Sequence, residues 1–141
     1  MTPEQAFTIP VRVYWEDTDA GGVVFYANYL KFFERARTEW LRALGVAQQA
    51  LRDDTGAIFV VTDTQLAYRA PARLDDLLRI TAEPTDIGRA SISLRQQAWR
   101  GDTLLCEGHI RVGCVDAQTL RPRRFPASLA QQISTTNPAS S

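Results

Sequence analysis

From Tyr29 to Leu44 the chain reads YLKFFERARTEWLRAL, and its apolar residues recur at steps of three and four as Leu30, Phe33, Ala36, Trp40, Leu41 and Leu44. Lys31, Glu34, Arg35, Arg37, Glu39 and Arg42 fall between them. That period describes one helix with a buried stripe and a wet face. The side-chain oxygen of Asn28 can accept hydrogen bonds from backbone N–H groups, which sets the helix start between Tyr26 and Asn28. Gly45 supplies the stop. The stripe is long and apolar throughout, so the rest of the chain must wrap it.

The wrapping material reads as strands. Val11, Val13 and Trp15 alternate with Arg12, Tyr14 and Glu16, a first strand. After a weakly helical connector from Val46 to Asp54, Ala57 to Ala70 is rich in β-formers and reads as a second strand, stopped by Pro71. Leu74-Asp75-Asp76 leads into a third from Leu77 to Thr85, where Pro84 calls for an edge or a bulge. A turn at Asp86 to Arg89 precedes a fourth strand, Ala90 to Arg100. Gly101-Asp102 turns into a fifth, Thr103 to Val115, with Cys106, Gly108, Ile110, Val112 and Cys114 on one face. Leu105, Glu107, His109 and Arg111 share the other face. Short connections between successive strands favour antiparallel meanders, hence an α+β design of one helix on one curved sheet. A short helical patch follows near Ala127 to Ile133, so the domain is expected over residues 1–133, with 134–141 a small, polar, disordered tail.

The bulk properties narrow the function. Sixteen basic and sixteen acidic side chains cancel, so no global charge points to nucleic acid, and Arg121-Pro122-Arg123-Arg124 reads as a solvated cluster. No apolar run is long enough to span a bilayer and the first residues lack a secretion signal, so a cytoplasmic location is expected. Cys106 and Cys114 lie eight residues apart on one strand. That spacing separates them by about 26 Å, where a disulfide needs Cα atoms within about 7 Å, so both are expected as buried thiols. His109, the only histidine, lies on the polar strand face and three residues from Cys106, which puts the two on opposite faces and rules out a thiolate dyad. There is no Gly-x-Ser-x-Gly, no cluster with metal-ligand spacing and no glycine-rich phosphate loop.

Chemistry can enter at Glu16-Asp17-Thr18-Asp19-Ala20-Gly21-Gly22, where the chain leaves the first strand. An Asp-x-Asp pair can chelate Mg²⁺ on doubly wound sheets, but the alternating βαβ pattern is missing. Two readings stand. Either both aspartates satisfy turn and cap donors, or a carboxylate ahead of the helix acts as nucleophile or general base, with the free N–H groups of the helix start holding an oxyanion. Gly21 and Gly22 let the backbone approach a substrate closely.

The segment Val11-Arg12-Val13-Tyr14-Trp15-Glu16-Asp17-Thr18-Asp19-Ala20-Gly21-Gly22-Val23-Val24 resembles the hot-dog-fold acyl-CoA thioesterases of the 4-hydroxybenzoyl-CoA thioesterase family. The likeness continues through Ala27-Asn28-Tyr29-Leu30 and Phe33 to Glu39. Tyr68 to Asp76 and Val115-Asp116 look like the branch associated with the Tol–Pal system. The resemblance implies a five-stranded antiparallel sheet around one long central helix, in homodimers joined edge to edge and commonly paired into homotetramers. It implies Asp19 as the catalytic carboxylate and the Tyr26 backbone amide as the group that polarises the thioester carbonyl. Gly22, Val24, Phe59, Val60, Thr62 and Arg69 are then candidates for substrate contact, the strand residues acting across a subunit interface, with Arg69 or Arg123 toward the CoA phosphates. The implied reaction is hydrolysis of a short- or medium-chain, or aromatic, acyl thioester to acid and CoA. It uses no cofactor beyond the CoA of the substrate. One departure stands out: many members of the Tol–Pal-associated branch carry histidine where this chain has Tyr26, whereas the 4-hydroxybenzoyl-CoA branch has tyrosine. That departure sustains an alternative, a weakly active or inactive binding module that scaffolds acyl carrier protein or envelope lipid enzymes.

Overall fold

A computed structural model describes residues 6–136. Strand β1 (Phe7–Arg12) is followed by a single 3₁₀ turn at Trp15–Asp17, helix α1 (Asn28–Ala43) and helix α2 (Gln48–Thr55). Strands β2 (Ala57–Tyr68), β3 (Leu77–Ile87), β4 (Ser91–Arg100) and β5 (Thr103–Asp116) come next, then helix α3 (Ala127–Thr136). The strands form one antiparallel sheet in the order β1-β3-β4-β5-β2. Helix α3 extends past Ile133 to Thr136, and the rest of the expected tail, residues 137–141, lies outside the described residues. Among the described residues no helix is long and apolar enough to cross a membrane.

The buried face of α1 carries Tyr29, Phe32, Phe33, Ala36, Trp40 and Leu41. Phe32 takes the place expected for Leu30, which is 43% exposed. The stripe is rotated by a fraction of a turn because Asn28 and Tyr29 are themselves buried at the helix head. Opposite lie Leu78, Ile80, Leu94, Ala98, Cys106 and Ile110, all nearly or wholly buried. Full burial of each such large side chain is worth about 1.5–3 kcal/mol, so this helix–sheet contact dominates the fold. The packing is tight at Gly108, where an added Cβ would fall 2.8 Å from Leu66, 2.9 Å from Ile110 and 3.0 Å from the Phe33 ring. The helix closes as expected at Gly45, whose φ of 87° is left-handed. Gly45 N–H donates to Arg42 O and Val46 N–H to Leu41 O, the paired bonds of a Schellman stop.

Irregularities account for the remaining differences. The first strand ends at Arg12, and Trp15 enters the 3₁₀ turn with 77% of its surface exposed, so the alternation through Val11 and Val13 does not continue. Leu105 is fully buried although it alternates with the core face, because the β4–β5 register skips it between Ala98↔Cys106 and Trp99↔Leu104. Such a bulge turns the extra side chain inward. Pro84 sits beside a bulge in the β3–β4 pairing, as a strand proline does. The meander holds only for β3-β4-β5. β2 and β3, expected as neighbours, are separated by two strands, or about 14 Å at sheet spacing. Residues 69–76 carry the chain across, a distance that eight residues at about 3.3 Å each can cover. That crossing builds the site.

Candidate active site

The crossing segment runs beneath the acidic loop and pairs with it. Val24 N–H donates to Ala72 O at 2.8 Å, and Val23 bridges to Arg73. The Ala72 N–H donates to the Tyr29 hydroxyl at 3.3 Å, which ties the crossing to the head of α1. Arg100 donates to Pro71 O at 3.1 Å and to the Asp76 carboxylate at 2.9 Å, and the same carboxylate accepts the Arg73 N–H at 2.9 Å. Burial pushes Asp76 up, but the Arg73 N–H and the Arg100 guanidinium together outweigh it and hold the carboxyl below the usual range. Burial likewise pushes the Tyr29 hydroxyl up, so it stays neutral as an acceptor for Ala72.

The two aspartates do different things. Asp17 is buried, and its Oδ2 accepts the Tyr14 N–H at 2.9 Å, closing the 3₁₀ turn. Its carbonyl accepts from Phe25 N–H at 2.9 Å and from the Asn28 side-chain amide at 2.8 Å. Asn28 therefore clamps loop to helix as a donor; it does not cap the helix as an acceptor. Asp19 is exposed, in a turn held by its N–H to Val23 O at 2.9 Å and by Gly22 N–H to its carbonyl at 3.0 Å. One carboxylate oxygen, Oδ1, accepts the Gly21 N–H at 2.8 Å. Oδ2 has no partner among the described residues and is open to a ligand. Gly22 has φ of 78°, which a side chain would strain.

At the helix head, Phe25 N–H is committed to Asp17 and Asn28 N–H to Phe25 O, at 2.8 Å. Between them the N–H groups of Tyr26 and Ala27 meet no acceptor among the described residues. They lie at the positive end of α1, where orphan donors and the helix dipole favour negative charge. The Tyr26 ring is 62% exposed, and its backbone carbonyl accepts the Tyr68 hydroxyl at 3.1 Å. That bond, from the last residue of β2, fixes the turn that presents these amides.

Elsewhere the geometry sorts the other candidates. Val24 is buried as a wall behind the loop, and Gly22 is exposed at its tip. Phe59 faces the helix side, its ring 6.1 Å from that of Phe125. Val60 and Thr62 lie on the opposite face of β2, Thr62 at a bulge and against Gly113. The Arg69 side chain is exposed, and its N–H anchors the start of the crossing to Leu105 O at 2.8 Å. Arg123, read from sequence as part of a solvated cluster, instead donates to Thr55 O at 2.8 Å and pairs with Asp116 at 3.6 Å, which occupies it at the end of α2. Cys106 is fully buried, and burial pushes its thiol up to about 12, so it is no nucleophile. His109 is exposed and pairs with Glu107 at 3.3 Å on the outer face of β5.

Sequence reasoning missed two participants. Tyr68 carries no signal of its own in the local sequence, because its link to Tyr26 spans 42 positions. The helical period puts Arg37 on the wet face of α1, yet its side chain is half-buried and donates to Gln96 Oε1 at 2.9 Å. Its local pattern could not reveal this, because Gln96 lies 59 residues away.

The chain, a central helix wrapped by five strands, matches known proteins in sequence and shape. Residues 21–107 match the model of the thioesterase superfamily. The chain belongs to the thioesterase superfamily. It is a thioester hydrolase with the hot-dog fold of that group. It is 45% identical to the acyl-CoA thioesterase YbgC of Haemophilus influenzae over 87% of this chain and 90% of that protein. It is 47% identical to the acyl-CoA thioester hydrolase YbgC of Escherichia coli O6:H1, over 90% of this chain and 95% of that protein. The crystal structure of a probable thioesterase from Bartonella henselae superposes with a TM-score of 0.79 at 32% identity, covering 84% of this chain and 98% of that one.

Proposed function

We propose that this thioesterase hydrolyses acyl-CoA esters to free acid and CoA, with Asp19 as the reacting carboxylate and the Tyr26 N–H as oxyanion donor. The observation that carries the reading is the contrast at the acidic loop: Asp17 is buried and consumed by structure, while Asp19 is exposed and keeps a carboxylate oxygen unpartnered among the described residues, as the Tyr26 and Ala27 amides at the helix head also are. Hydrolysis adds water across the C–S bond, the acyl carbon gaining the hydroxyl and the sulfur leaving as a thiol. As general base, Asp19 takes the proton from water as it attacks and returns it to the departing thiolate. As nucleophile, it forms a mixed anhydride that water then opens, with the same net reaction. In either route the carbonyl oxygen becomes negative, and fixed N–H donors stabilise that charge without reorganising. The names of the YbgC relatives support CoA as the carrier.

The finer reading follows the resemblance. The chain works without a cofactor, in the cytoplasm, as a homodimer or homotetramer whose sheets join through the open edge of β2. Its acyl groups are short- or medium-chain, or aromatic, and acyl carrier protein is a candidate partner that the Tol–Pal resemblance allows. A thiol-release assay over CoA esters from acetyl to decanoyl, with matched acyl carrier protein esters alongside, tests the reading. Turnover of CoA esters supports it, and silence on every thioester overturns it. Single turnover in ¹⁸O-labelled water bears on the route, because label in Asp19 arises only from an anhydride that water opens at the Asp19 carbonyl.

A further inference from the structure

Helix α1 is entered through a tight turn. Asn28 N–H donates to Phe25 O at 2.8 Å, and Ala27, at φ −74° and ψ −17°, is right-handed. Together these give residues 25–28 type I geometry, in which both central residues are helical. The N–H groups of Tyr26 and Ala27 therefore leave the turn at its open end, as the first amides of a helix do. Neither meets an acceptor among the described residues.

The two amides are held by different means. A peptide unit is planar and trans, so a bond that fixes its carbonyl also aims its N–H. The unit carrying the Tyr26 N–H is fixed by Asn28 N–H on Phe25 O, a backbone bond compatible with most residues. The unit carrying the Ala27 N–H has Tyr26 O at its other end, ahead of the helix ladder: Leu30 N–H donates to Ala27 O at 3.1 Å. Among the described residues, the partner of Tyr26 O is the Tyr68 hydroxyl, at 3.1 Å.

The Tyr68 ring is seated for that bond. It stands edge-on to the Tyr26 ring at 6.3 Å and lies 5.8 Å from the ring of buried Tyr29. Tyr29 is itself anchored, its hydroxyl accepting the Ala72 N–H at 3.3 Å. Burial pushes the Tyr68 hydroxyl up, and Cys106 and Tyr26 act in the same sense, so it keeps its proton and stays a donor at neutral pH. Hydrogen bonds in series polarise one another, so a hydroxyl on Tyr26 O also strengthens the Ala27 N–H as a donor.

We propose that the Ala27 N–H is a second donor to the thioester oxyanion and that Tyr68 is its positioning residue. The proposal rests on the hydrolase reading above, in which the Tyr26 N–H is the first donor. As the acyl carbon is attacked, the carbonyl π electrons move onto oxygen, and two aimed amides stabilise that charge better than one. Tyr68 makes and breaks no bond in the reaction, and its proton stays on its own oxygen. Because the substrate carbonyl is neutral before attack, the benefit falls on kcat.

The test measures kcat and KM on butyryl-CoA by thiol release, with melting curves, for wild type, Tyr68→Phe and a chain in which nonsense suppression puts lactic acid at position 27. Lactic acid exchanges the Ala27 N–H for an ester oxygen, and that N–H has no acceptor in the described fold, so the melting temperature should stay close to wild type. Loss of one oxyanion donor predicts a fall of about 100-fold or more in kcat. Tyr68→Phe keeps the ring and leaves the donor present but unaimed, for an expected fall of about tenfold in kcat. KM stays unchanged in both, the pattern of an interaction made in the transition state. In the ester chain Tyr68→Phe adds little, because the donor it positions is gone. Should Tyr68→Phe fail to fold, Tyr68→O-methyltyrosine keeps ring and oxygen, removes the proton and carries the same expectation.

A kcat within about threefold of wild type in the ester chain or in the Tyr68 variant overturns the proposal. So does a full tenfold loss from Tyr68→Phe on top of the ester. A Tyr68 variant whose KM rises and melting temperature drops while kcat holds marks a mere tether between strand and helix, and overturns it as well. Wild-type silence on butyryl-CoA and on the longer esters would instead remove the hydrolase reading itself.

Discussion

Replacing Gln96 by leucine removes the polar joint between helix and sheet at nearly constant volume. Gln96 is fully buried; its amide nitrogen donates to Phe33 O at 2.9 Å and Thr81 O at 3.1 Å, and its oxygen accepts from Arg37 at 2.9 Å. Two neutral bonds at about 1 kcal/mol each and one to a charged group at about 1.5–3 kcal/mol sum to about 3.5–5 kcal/mol. Arg37 borders an open chamber and can partly resolvate, so the expected loss falls a little below that range, at about 3 kcal/mol. At about 4 °C per kcal/mol for a domain of this length, the melting temperature falls by about 12 °C. Urea unfolding followed by tryptophan fluorescence, at fixed chain concentration, measures the change. A cycle with Arg37→Met isolates the charged bond, with an expected coupling of about 1–2 kcal/mol. If Gln96→Leu lies within 1 kcal/mol of wild type, the idea that this joint holds α1 to the sheet is wrong.

Gly108→Ala puts a methyl against Leu66, Ile110 and Phe33 at 2.8–3.0 Å, and should destabilise by about 1–3 kcal/mol through overpacking, read from the urea midpoint. Asp76 has its folded pKa held down by Arg73 and Arg100, so its contribution is full above the unfolded value and disappears as pH falls through the folded one. Asp76→Asn should therefore melt lower than wild type at pH 7, with the gap shrinking below about pH 4; a gap constant down to pH 2.5 refutes the assignment.

The sequence carried the scaffold well where a period or a turn residue encodes it. The α1 stripe, the Gly45 stop, the bulge at Pro84 and the free thiols on β5 are all legible from local chemistry. It failed where the deciding partner is distant. Leu105 turns inward because of a bulge that leaves no mark in its own alternation, and Trp15 leaves the strand because Asp17 closes a 3₁₀ turn over it. The crossing of residues 69–76 looks like any short connection until the sheet order is known. At the site, Asp17 and Asp19 are chemically equivalent in the sequence; only burial and the Tyr14 N–H separate the structural carboxylate from the exposed one.

That separation is the claim on which the function depends, and kcat/KM on butyryl-CoA for wild type, Asp17→Asn and Asp19→Asn tests it most directly, with melting curves for all three. The account predicts that Asp19→Asn loses about 100-fold or more of its activity with an almost unchanged melting temperature. Asp17→Asn should melt lower and lose activity only in step with its folded fraction. Full activity in Asp19→Asn, or equal losses in both folded variants, would contradict it.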